Sequence, residues 1–588
     1  METKQRPVNA RVFSRAEELG LSPLASRIIA GRIQNRDGLE KIIHPSLGDL
    51  HHPKLLKDCD RVAARLVRAL SLKERIGIIT DYDVDGITSH LVLLESLLFF
   101  RVNPEKIDHF IGHRLRDGYG ISDNLTNRIL EHNELPGLII TADCGSSDEK
   151  NISRLHQAGI DVIVTDHHAI PESGPPSSAY GVINPAQHDC PYPDKTISGC
   201  MVSWLLMCQV RKQLIESGRL RPDVAKLTFL LDFVALSTVA DAVSLASPTN
   251  RALINSGLRL LNTLSRPCWR SFNRLSGKKE RPFSVDDLGF QIGPRINARS
   301  RMADPFGAYH FLSAANESEA ARWLAALEQD NQERKKIERE MLQTARILAG
   351  EVEEKKASIV VADDTFHAGV QGIVASRLVD LYGRPAVVLS PGRDPSQYSG
   401  SARSVDGIHV QRALGFVHKH DSSLMLGFGG HRGAAGLRIQ RERLAEFSEI
   451  FEQAVRVQAG NRVFGPVILT DGAPDFAEIS LETLAEIESL APFGREFETP
   501  VFEGIFTVKH LRPVGKEPIH LSMGLSGRGR IFQAIWFRAL KQVGDPLPFD
   551  KGDQVHCSYR LGENDFRDQK SVQLIVQYCV RKRCRELL

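Results

Sequence analysis

Short apolar runs alternate with helix-like stretches from about residue 75 to residue 250. Three such runs, at 76–80, 138–141 and 161–165, lead into aspartates, and a helix-like stretch at 88–100 follows the first. Short buried runs that are separated by helices predict a parallel β-sheet. Ligands of open parallel sheets bind outside the carboxyl ends of the strands, so we expect a site at this edge.

The second half of the chain changes pattern twice. Residues 316–349 predict one long helix, because Asn316 and Glu319 resemble a capping box and a thin apolar stripe follows at helical spacing. A second α/β pattern comes next, and short strands with turn residues then predict a small barrel. The predicted fold is α/β with five parts: an N-terminal helical segment at 1–70, an α/β domain at 71–315, a connecting helix at 316–349, a second α/β domain at 350–458 and a β-barrel at 459–588.

Composition narrows the class of protein. A chain of 588 residues is too long for one core, which agrees with several domains. The formal net charge is only +3, so any site for a polyanion must come from local arrangement. No apolar run reaches the roughly 18 residues of a membrane span. The nine cysteines include no CxxC pair, which argues against a disulfide framework or zinc site and favours a reducing, cytoplasmic setting.

Three carboxylates follow the first predicted strand at alternate positions. They are Asp81, Asp83 and Asp85, and Gly86 permits a sharp turn into the next helix. This spacing is also that of a calcium-binding loop. A calcium loop would need a glutamate where Val92 stands and a helix where the chain has a strand, so calcium is the weaker interpretation.

Further acids and two histidines end the neighbouring elements. Asp143 follows the second strand, Asp166-His167-His168 follows the third, and Asp241 follows an apolar helical stretch. Clustered carboxylates repel one another and raise their own pKa values unless a cation joins them. Oxygen ligands with one or two imidazoles suit Mg²⁺ or Mn²⁺. Two such ions, roughly 3.5–4 Å apart, can hydrolyse a phosphodiester bond.

At this point the chain resembles the DHH/DHHA1 phosphoesterase superfamily and, within it, the bacterial RecJ exonuclease family. The motifs DYDVDG, TADCGSS, TDHH, Asn184-Pro185 and LSTVAD stand in the family's order. The resemblance covers nearly the whole chain and implies a DHH domain, a connecting helix, a DHHA1 domain and an OB-fold barrel. It also implies a single-stranded-DNA-specific 5′-to-3′ exonuclease of DNA repair and recombination that uses two Mn²⁺ or Mg²⁺ ions.

The resemblance also carries residue roles onto matching positions. Asp143 is expected to bridge the two ions, within a predicted ligand set of Asp83, Asp85, Asp143, His167 and Asp241. Asp81 and His168 match residues essential to the family and are predicted catalytic residues. They would orient ligands or transfer protons.

Other motifs predict contacts with the DNA strand. Arginine's planar guanidinium suits a phosphate, and glycines permit close backbone approach to one, although the same glycines also suit tight helix–sheet packing. Arg299-Ser300 stands where the family shows Ala-Gly, so the family pattern does not predict the backbone conformation at these residues. The predicted substrate-binding residues are Arg114, Arg295, Arg301, Ser401, Arg403 and His431.

The predicted barrel indicates binding of single-stranded DNA, but the sequence does not identify the residues that contact the DNA. Trp536, Phe537 and Tyr559 can stack on bases or belong to the core, and both interpretations stay open. The segment 495–498 departs from the family pattern, so no site residue is predicted there.

Three functions from different classes fit these motifs. The first is the exonuclease, the second an oligonucleotide or cyclic-dinucleotide phosphodiesterase, and the third a non-catalytic replication scaffold. The long N-terminal segment and the barrel argue against the second, and the complete set of acids and histidines argues against the third. For the exonuclease we expect a monomer that binds single-stranded DNA and does not associate with a membrane. The family resemblance also implies a single-strand-binding protein and a helicase as partners.

Overall fold

A computed structural model describes seven parts of the chain: 2–114, 116–277, 281–350, 356–460, 462, 464–566 and 569–582. Leu115, in the predicted Arg114 motif, lies outside these residues. Contacts divide the chain into two compact units: one contains 1–45, 244–248 and 466–588, and the other contains 46–243 and 249–465. Among the described residues no helix combines the length and apolar character needed to cross a membrane.

The first 45 residues contain a short strand and three helices. The side chains of Asn9 and Ser22 accept hydrogen bonds from the first turns of two of these helices and so cap them. The sequence pattern treated 1–70 as one segment, whereas the contacts group 1–45 with residues 466–588. The elements are β1 (Glu2–Gln5), α1 (Ala10–Glu18), α2 (Pro23–Ala30) and α3 (Leu39–Ile43).

A five-stranded parallel sheet organises the first α/β domain, with the order β3-β2-β4-β5-β6. Strands β2 and β4 are buried along their whole length, which explains their continuous apolar sequence. The elements are α4 (Cys59–Leu72), β2 (Ile76–Thr80), α5 (Val84–Phe99), β3 (Ile107–Ile111), α6 (Asp123–Leu130), β4 (Leu138–Ala142), α7 (Glu149–Gln157), β5 (Asp161–Thr165), β6 (Gly181–Ile183), α8 (Gly199–Glu216), α9 (Leu231–Ala240), α10 (Pro248–Leu261), α11 (Pro267–Ser276), α12 (Val285–Asp287), α13 (Gly293–Met302) and α14 (Phe306–Leu312). The prediction of a parallel sheet is confirmed.

One long helix, α15 (Glu317–Gly350), connects the two α/β domains. Leu324 and Leu327 of its first half belong to the core of the first domain. Met341 and Ala345 of its second half belong to a core formed with the second domain. The thin apolar stripe therefore serves two cores in turn, which is why it continues along the helix.

The second α/β domain contains a mixed sheet with the order β10-β11-β9-β8-β7. Its β7–β8 pair is parallel, and the other three pairs are antiparallel. Pairing of β9 with β11 places Ser401 opposite Gly436, so two glycine-rich motifs meet in space. The elements are β7 (Ile359–Ala362), α16 (Gln371–Tyr382), β8 (Ala386–Pro391), β9 (Gln397–Arg403), α17 (Val410–His420), β10 (Met425–Gly430), β11 (Ala434–Gln440) and α18 (Leu444–Ala459).

A closed barrel with the strand order β13-β14-β15-β17-β16 forms the C-terminal domain and confirms the predicted fold class. Tyr559 is buried in its core, and Trp536 stacks on Phe549 with ring planes 16° apart. Phe537, at 57% exposure, is the accessible one of the three candidate aromatics. The elements are β12 (Val467–Thr470), α19 (Leu481–Ser489), β13 (Phe502–Val514), β14 (His520–Gly527), β15 (Arg530–Trp536), β16 (Gln554–Phe566) and β17 (Gln569–Arg581), and β12 pairs with β1.

Candidate active site

The loop between β2 and α5 is tight enough to require glycine. Asp83 caps α5 by accepting a hydrogen bond from the backbone N–H of Gly86 at 3.2 Å. A Cβ atom on Gly86 would lie 2.2 Å from the carbonyl oxygen of Asp81, so no other residue fits. Asn297 of α13 accepts a hydrogen bond from the N–H of Val84 at 3.1 Å. The loop is thus held from two sides with its carboxylates at the sheet edge.

Asp85 is fixed by the first turn of α8. The backbone N–H groups of Gly199 and Cys200 each donate to its carboxylate at 2.8 Å, and the hydroxyl of Ser237 donates at 2.7 Å. Free N–H groups and the helix dipole both favour a negative charge at a helix N-terminus. Gly199 also lets α8 come close to β4, because a Cβ atom there would lie 2.9 Å from that of Asp143.

Two positions beside the site have left-handed backbone. Asp143, directly after β4, has φ +60°, and Ala242, directly after Asp241, has φ +50°. Residues other than glycine rarely adopt this region, and such strain concentrates where the surrounding structure imposes it for function. The backbone is thus bent where both carboxylates are presented.

His167 faces three carboxylates with one ring nitrogen. Its Nε2 lies 3.2 Å from Oδ1 of Asp143, 3.6 Å from Oδ2 of Asp85 and 3.6 Å from Oδ2 of Asp241. Candidate ligand atoms within 4.8 Å of one another form three overlapping groups. All seven residues predicted as ligands or catalytic residues belong to these groups: Asp143–His167–His168, Asp85–His167–Asp241 and Asp81–Asp83–Asp143.

The electrostatics of this acid cluster call for cations. Burial raises the pKa of Asp143 well above its usual range, and the charges of Asp85 and Asp83 raise it further. Burial also raises the pKa of Asp241 to about 7 and that of Asp81 well above the ordinary value.

Three buried polar atoms of the cluster lack a hydrogen-bond partner among the described residues. They are Oδ1 of Asp81, Oδ1 of Asp143 and Nε2 of His167. Buried polar atoms are normally satisfied, so three unpaired atoms in one cluster are typical of a metal-binding site. Carboxylate oxygens with imidazole nitrogen are ligands that Mg²⁺ and Mn²⁺ accept, so these residues fit divalent cations.

Asp166 and Tyr119, to which the motifs assigned no role, hold His168. The Oδ1 atom of Asp166 lies 2.8 Å from Nδ1 of His168 and accepts the N–H of His167 at 2.7 Å. Burial alone would lower the pKa of His168, but the hydrogen bond to Asp166 together with the charges of Asp166, Asp241 and Asp83 outweighs burial and raises the pKa to about 9. The hydroxyl of Tyr119 lies 2.8 Å from the same Nδ1 and donates to the carbonyl of Asp143 at 3.1 Å. Asp166 lies inside the TDHH motif and Tyr119 lies five residues after the predicted contact Arg114, so this nearness in the sequence was the available signal.

Four of the residues predicted to bind DNA lie in the second domain or contact it. His431 stands near-parallel to His168, with ring centroids 6.2 Å apart. Arg403 donates to the hydroxyl of Ser401 at 2.7 Å, and Arg301 donates to the carbonyl of Gly369 at 2.6 Å. The second domain therefore brings His431 beside the cluster, and its own contacts hold the guanidinium groups.

The two remaining predicted arginines differ in their partners. Arg114 lies over the ring of Tyr82 at 4.1 Å, and its buried Nε has no hydrogen-bond partner among the described residues. Arg295 instead forms an ion pair with Glu328 of α15 at 2.6 Å and donates to the carbonyl of Gln291 at 2.7 Å. We now expect Arg295 to position α13 rather than to bind a strand.

Comparison with known proteins agrees with this geometry. Family models match at 75–231 (DHH family, N-terminal domain), 355–457 (DHHA1 domain) and 470–578 (RecJ OB domain). The single-stranded-DNA-specific exonuclease RecJ of Haemophilus influenzae is 34% identical over 568 residues, which are 95% of this chain and 96% of that protein.

Solved structures show the same fold. RecJ of Thermus thermophilus in complex with Mn²⁺ matches with a TM-score of 0.79 and 25% identity, covering 99% of this chain and 80% of that one. Its complex with Mg²⁺ matches with a TM-score of 0.73 and 24% identity, covering 99% and 78%. The fold and the acid cluster define a phosphoesterase of the DHH/DHHA1 type. Within that class, the chain belongs to the RecJ exonuclease family.

Proposed function

We propose that this protein is a single-stranded-DNA-specific 5′-to-3′ exonuclease that releases nucleotides by two-metal phosphodiester hydrolysis in DNA repair and recombination. The observation that carries the proposal is the acid cluster, in which seven motif residues from four places in the chain meet. Similarity to RecJ exonucleases over nearly the full length supports the choice of substrate.

Two Mn²⁺ or Mg²⁺ ions are the proposed cofactors. Asp85, His167 and Asp241 would hold one ion. Asp83 would hold the other ion, and Asp143 would be a ligand of both. Bound divalent cations lower the pKa of a water molecule and stabilise negative charge on the scissile phosphate. The orphaned Oδ1 of Asp143 and Nε2 of His167 support this assignment, because they face each other at 3.2 Å without a hydrogen bond.

The chain's own residues complete the reaction. His168 is anchored through Nδ1 by Asp166 and Tyr119, so its Nε2 is the atom that would move a proton. Asp81 would orient the loop carboxylates from its buried position. Arg114, Arg301, Ser401, Arg403 and His431 would bind the phosphates of the terminal nucleotide.

The proposal is tested with single strands labelled at either end and incubated with Mn²⁺. The native protein should release nucleotides from the 5′ end of single strands and leave a blunt duplex intact. Asp143→Asn is the matched variant, since asparagine tolerates the left-handed backbone at this position. Equal cleavage by both proteins contradicts the proposal, and faster turnover of dinucleotides than of long strands favours a phosphodiesterase instead.

Other features remain proposals of ours. We propose a monomer in the cytoplasm that works with a single-strand-binding protein and a helicase, as the family resemblance implies. The nine scattered cysteines without a CxxC pair favour a reducing compartment. We also propose that catalysis belongs to residues 71–315, end recognition to 350–458 and strand binding to the barrel.

A further inference from the structure

A cavity of about 800 Å³ opens beside Arg114, between the loop after β3 and the second domain. Its walls include Arg393, Tyr398, Ser399 and Arg438, to which the proposed reaction gives no role. Three guanidinium groups on one cavity, counting Arg114, suit a ligand with several negative charges.

The register of β9 and β11 links this cavity to the proposed strand contacts. Ser399 lies two residues from Ser401 along β9, and Arg438 pairs with Ser399 across the sheet. Side chains two apart on a strand share a face and are separated by about 7 Å. The sheet face that carries Ser401 and Arg403 therefore continues into the cavity, where Arg438 is the next cation.

The cavity keeps a positive balance because three arginines line it against two aspartates, Asp117 and Asp394, of which Asp117 is paired with an arginine outside the cavity. Asp117 forms an ion pair with Arg128 at 3.1 Å and accepts the N–H of His113 at 2.9 Å. Asp394 accepts hydrogen bonds from Ser396 and Gln397. Arg438 is exposed, and its guanidinium makes no hydrogen bond or ion pair within the described parts of the chain.

The order of the side chains from the acid cluster to the cavity indicates which part of the substrate each would bind. The acid cluster would hold the scissile phosphate, and His431 beside His168 would mark the step toward the 5′ end. Arg403 and Ser401 come next, and Ser399 and Arg438 lie further along the same face. The phosphate of a terminal nucleotide with one phosphate would lie at Arg403 and Ser401, which leaves Ser399 and Arg438 for further phosphates.

We propose that this cavity binds the additional phosphates of a strand whose 5′ end carries a triphosphate. The inference rests on the proposed exonuclease function and extends it to the chemistry of the end. One water would be consumed per bond: its oxygen bonds to the scissile phosphorus, the bond from that phosphorus to O3′ of the terminal nucleotide breaks, and the O3′ takes a proton. The products are a nucleoside 5′-triphosphate and a shortened strand with a 5′-monophosphate, and later cycles release monophosphates.

The test compares strands of one sequence with a 5′-monophosphate or a 5′-triphosphate, with excess Mn²⁺ and product analysis by chromatography. The full-length protein should cleave both and release a nucleoside triphosphate first from the second. Arg438→Gln should lower the kcat/KM for the triphosphate strand about tenfold relative to the monophosphate strand, as expected for a lost charged hydrogen bond. Lys419→Gln, which removes an equal charge from the exposed end of α17, should leave this ratio unchanged.

Each other outcome has a distinct meaning. A triphosphate strand that resists cleavage while the monophosphate strand is digested overturns this inference and leaves the exonuclease intact. An equal loss on both strands in Arg438→Gln also overturns it, because Arg438 then contacts the strand and not its end. Inhibition by free tripolyphosphate with a resistant triphosphate strand assigns the cavity to a free ligand instead. Failure to cleave any single strand overturns the exonuclease itself.

Discussion

The acid cluster of the first domain and the arginines around the second domain are built in opposite ways. Buried atoms of Asp81, Asp143 and His167 lack partners among the described residues. Arg301 and Arg403 instead donate to a carbonyl and a hydroxyl of the second domain. The cluster therefore offers ligand atoms to cations, whereas most of the arginines already have hydrogen-bond partners in the protein.

The largest effect should follow from removing one side of the cluster. Asp241→Asn should lower cleavage of single-stranded DNA by at least about 100-fold, because it changes a proposed ligand. Calorimetry should show weaker Mn²⁺ binding in the same variant. Unchanged Mn²⁺ affinity would show that Asp241 is not a ligand and would contradict the description of the acid cluster as a cation site.

Metal-free protein should become less stable as the pH rises. The pKa of Asp241 is about 7 in the folded chain, above the ordinary carboxyl value of about 4. The folded chain thus binds this proton more tightly, so the stabilisation is complete below pH 4 and is lost as the pH rises through 7.

Denaturant unfolding in EDTA at pH 5 and pH 8 measures this loss. Because the unfolded carboxyl is already ionised at pH 5, the loss at Asp241 alone between these two pH values corresponds to about 3 kcal/mol at most. Asp241→Asn should reduce the difference between the two pH values, and saturating Mn²⁺ should reverse it by replacing the proton. The same pH dependence in native protein and variant would assign the effect to other groups.

A smaller effect is expected from Tyr119→Phe. Loss of the hydroxyl removes contacts with His168 and with the carbonyl of Asp143 while keeping the ring. The kcat should fall about tenfold with little change in KM, since such supporting groups act on the reacting residues. A change in KM alone would show that Tyr119 contacts the strand. Thermal unfolding of the variant provides the control for folding.

The smallest effects are expected at Arg114 and Arg295, and they should distinguish a residue that binds DNA from one that stabilises the fold. Arg114→Gln should raise the KM for DNA several-fold without lowering stability, because Arg114 has no ion pair among the described residues. Arg295→Gln should instead lower the free energy of unfolding by about 1 kcal/mol through its pair with Glu328. The reverse pattern would show that Arg295 binds the strand and Arg114 is structural.

Much of the site could be predicted because its ligands end local elements. Asp83, Asp143 and His167 each follow a buried strand, and parallel strands present their carboxyl ends at one edge. Local sequence could not predict the support for Asp85, because α8 lies more than one hundred residues away along the chain. The ion pair of Arg295 could not be predicted for the same reason, since its partner Glu328 lies on α15.

The order of the domains, the parallel sheet and the chemical character of the cluster could be predicted from the sequence, since these follow from periodicity and residue type. The tertiary structure was needed to show which groups meet. It placed His431 beside His168, buried Tyr559 in the barrel and extended the Ser401 face toward Arg438. Such contacts depend on strand register and helix packing between distant segments, which no local pattern specifies.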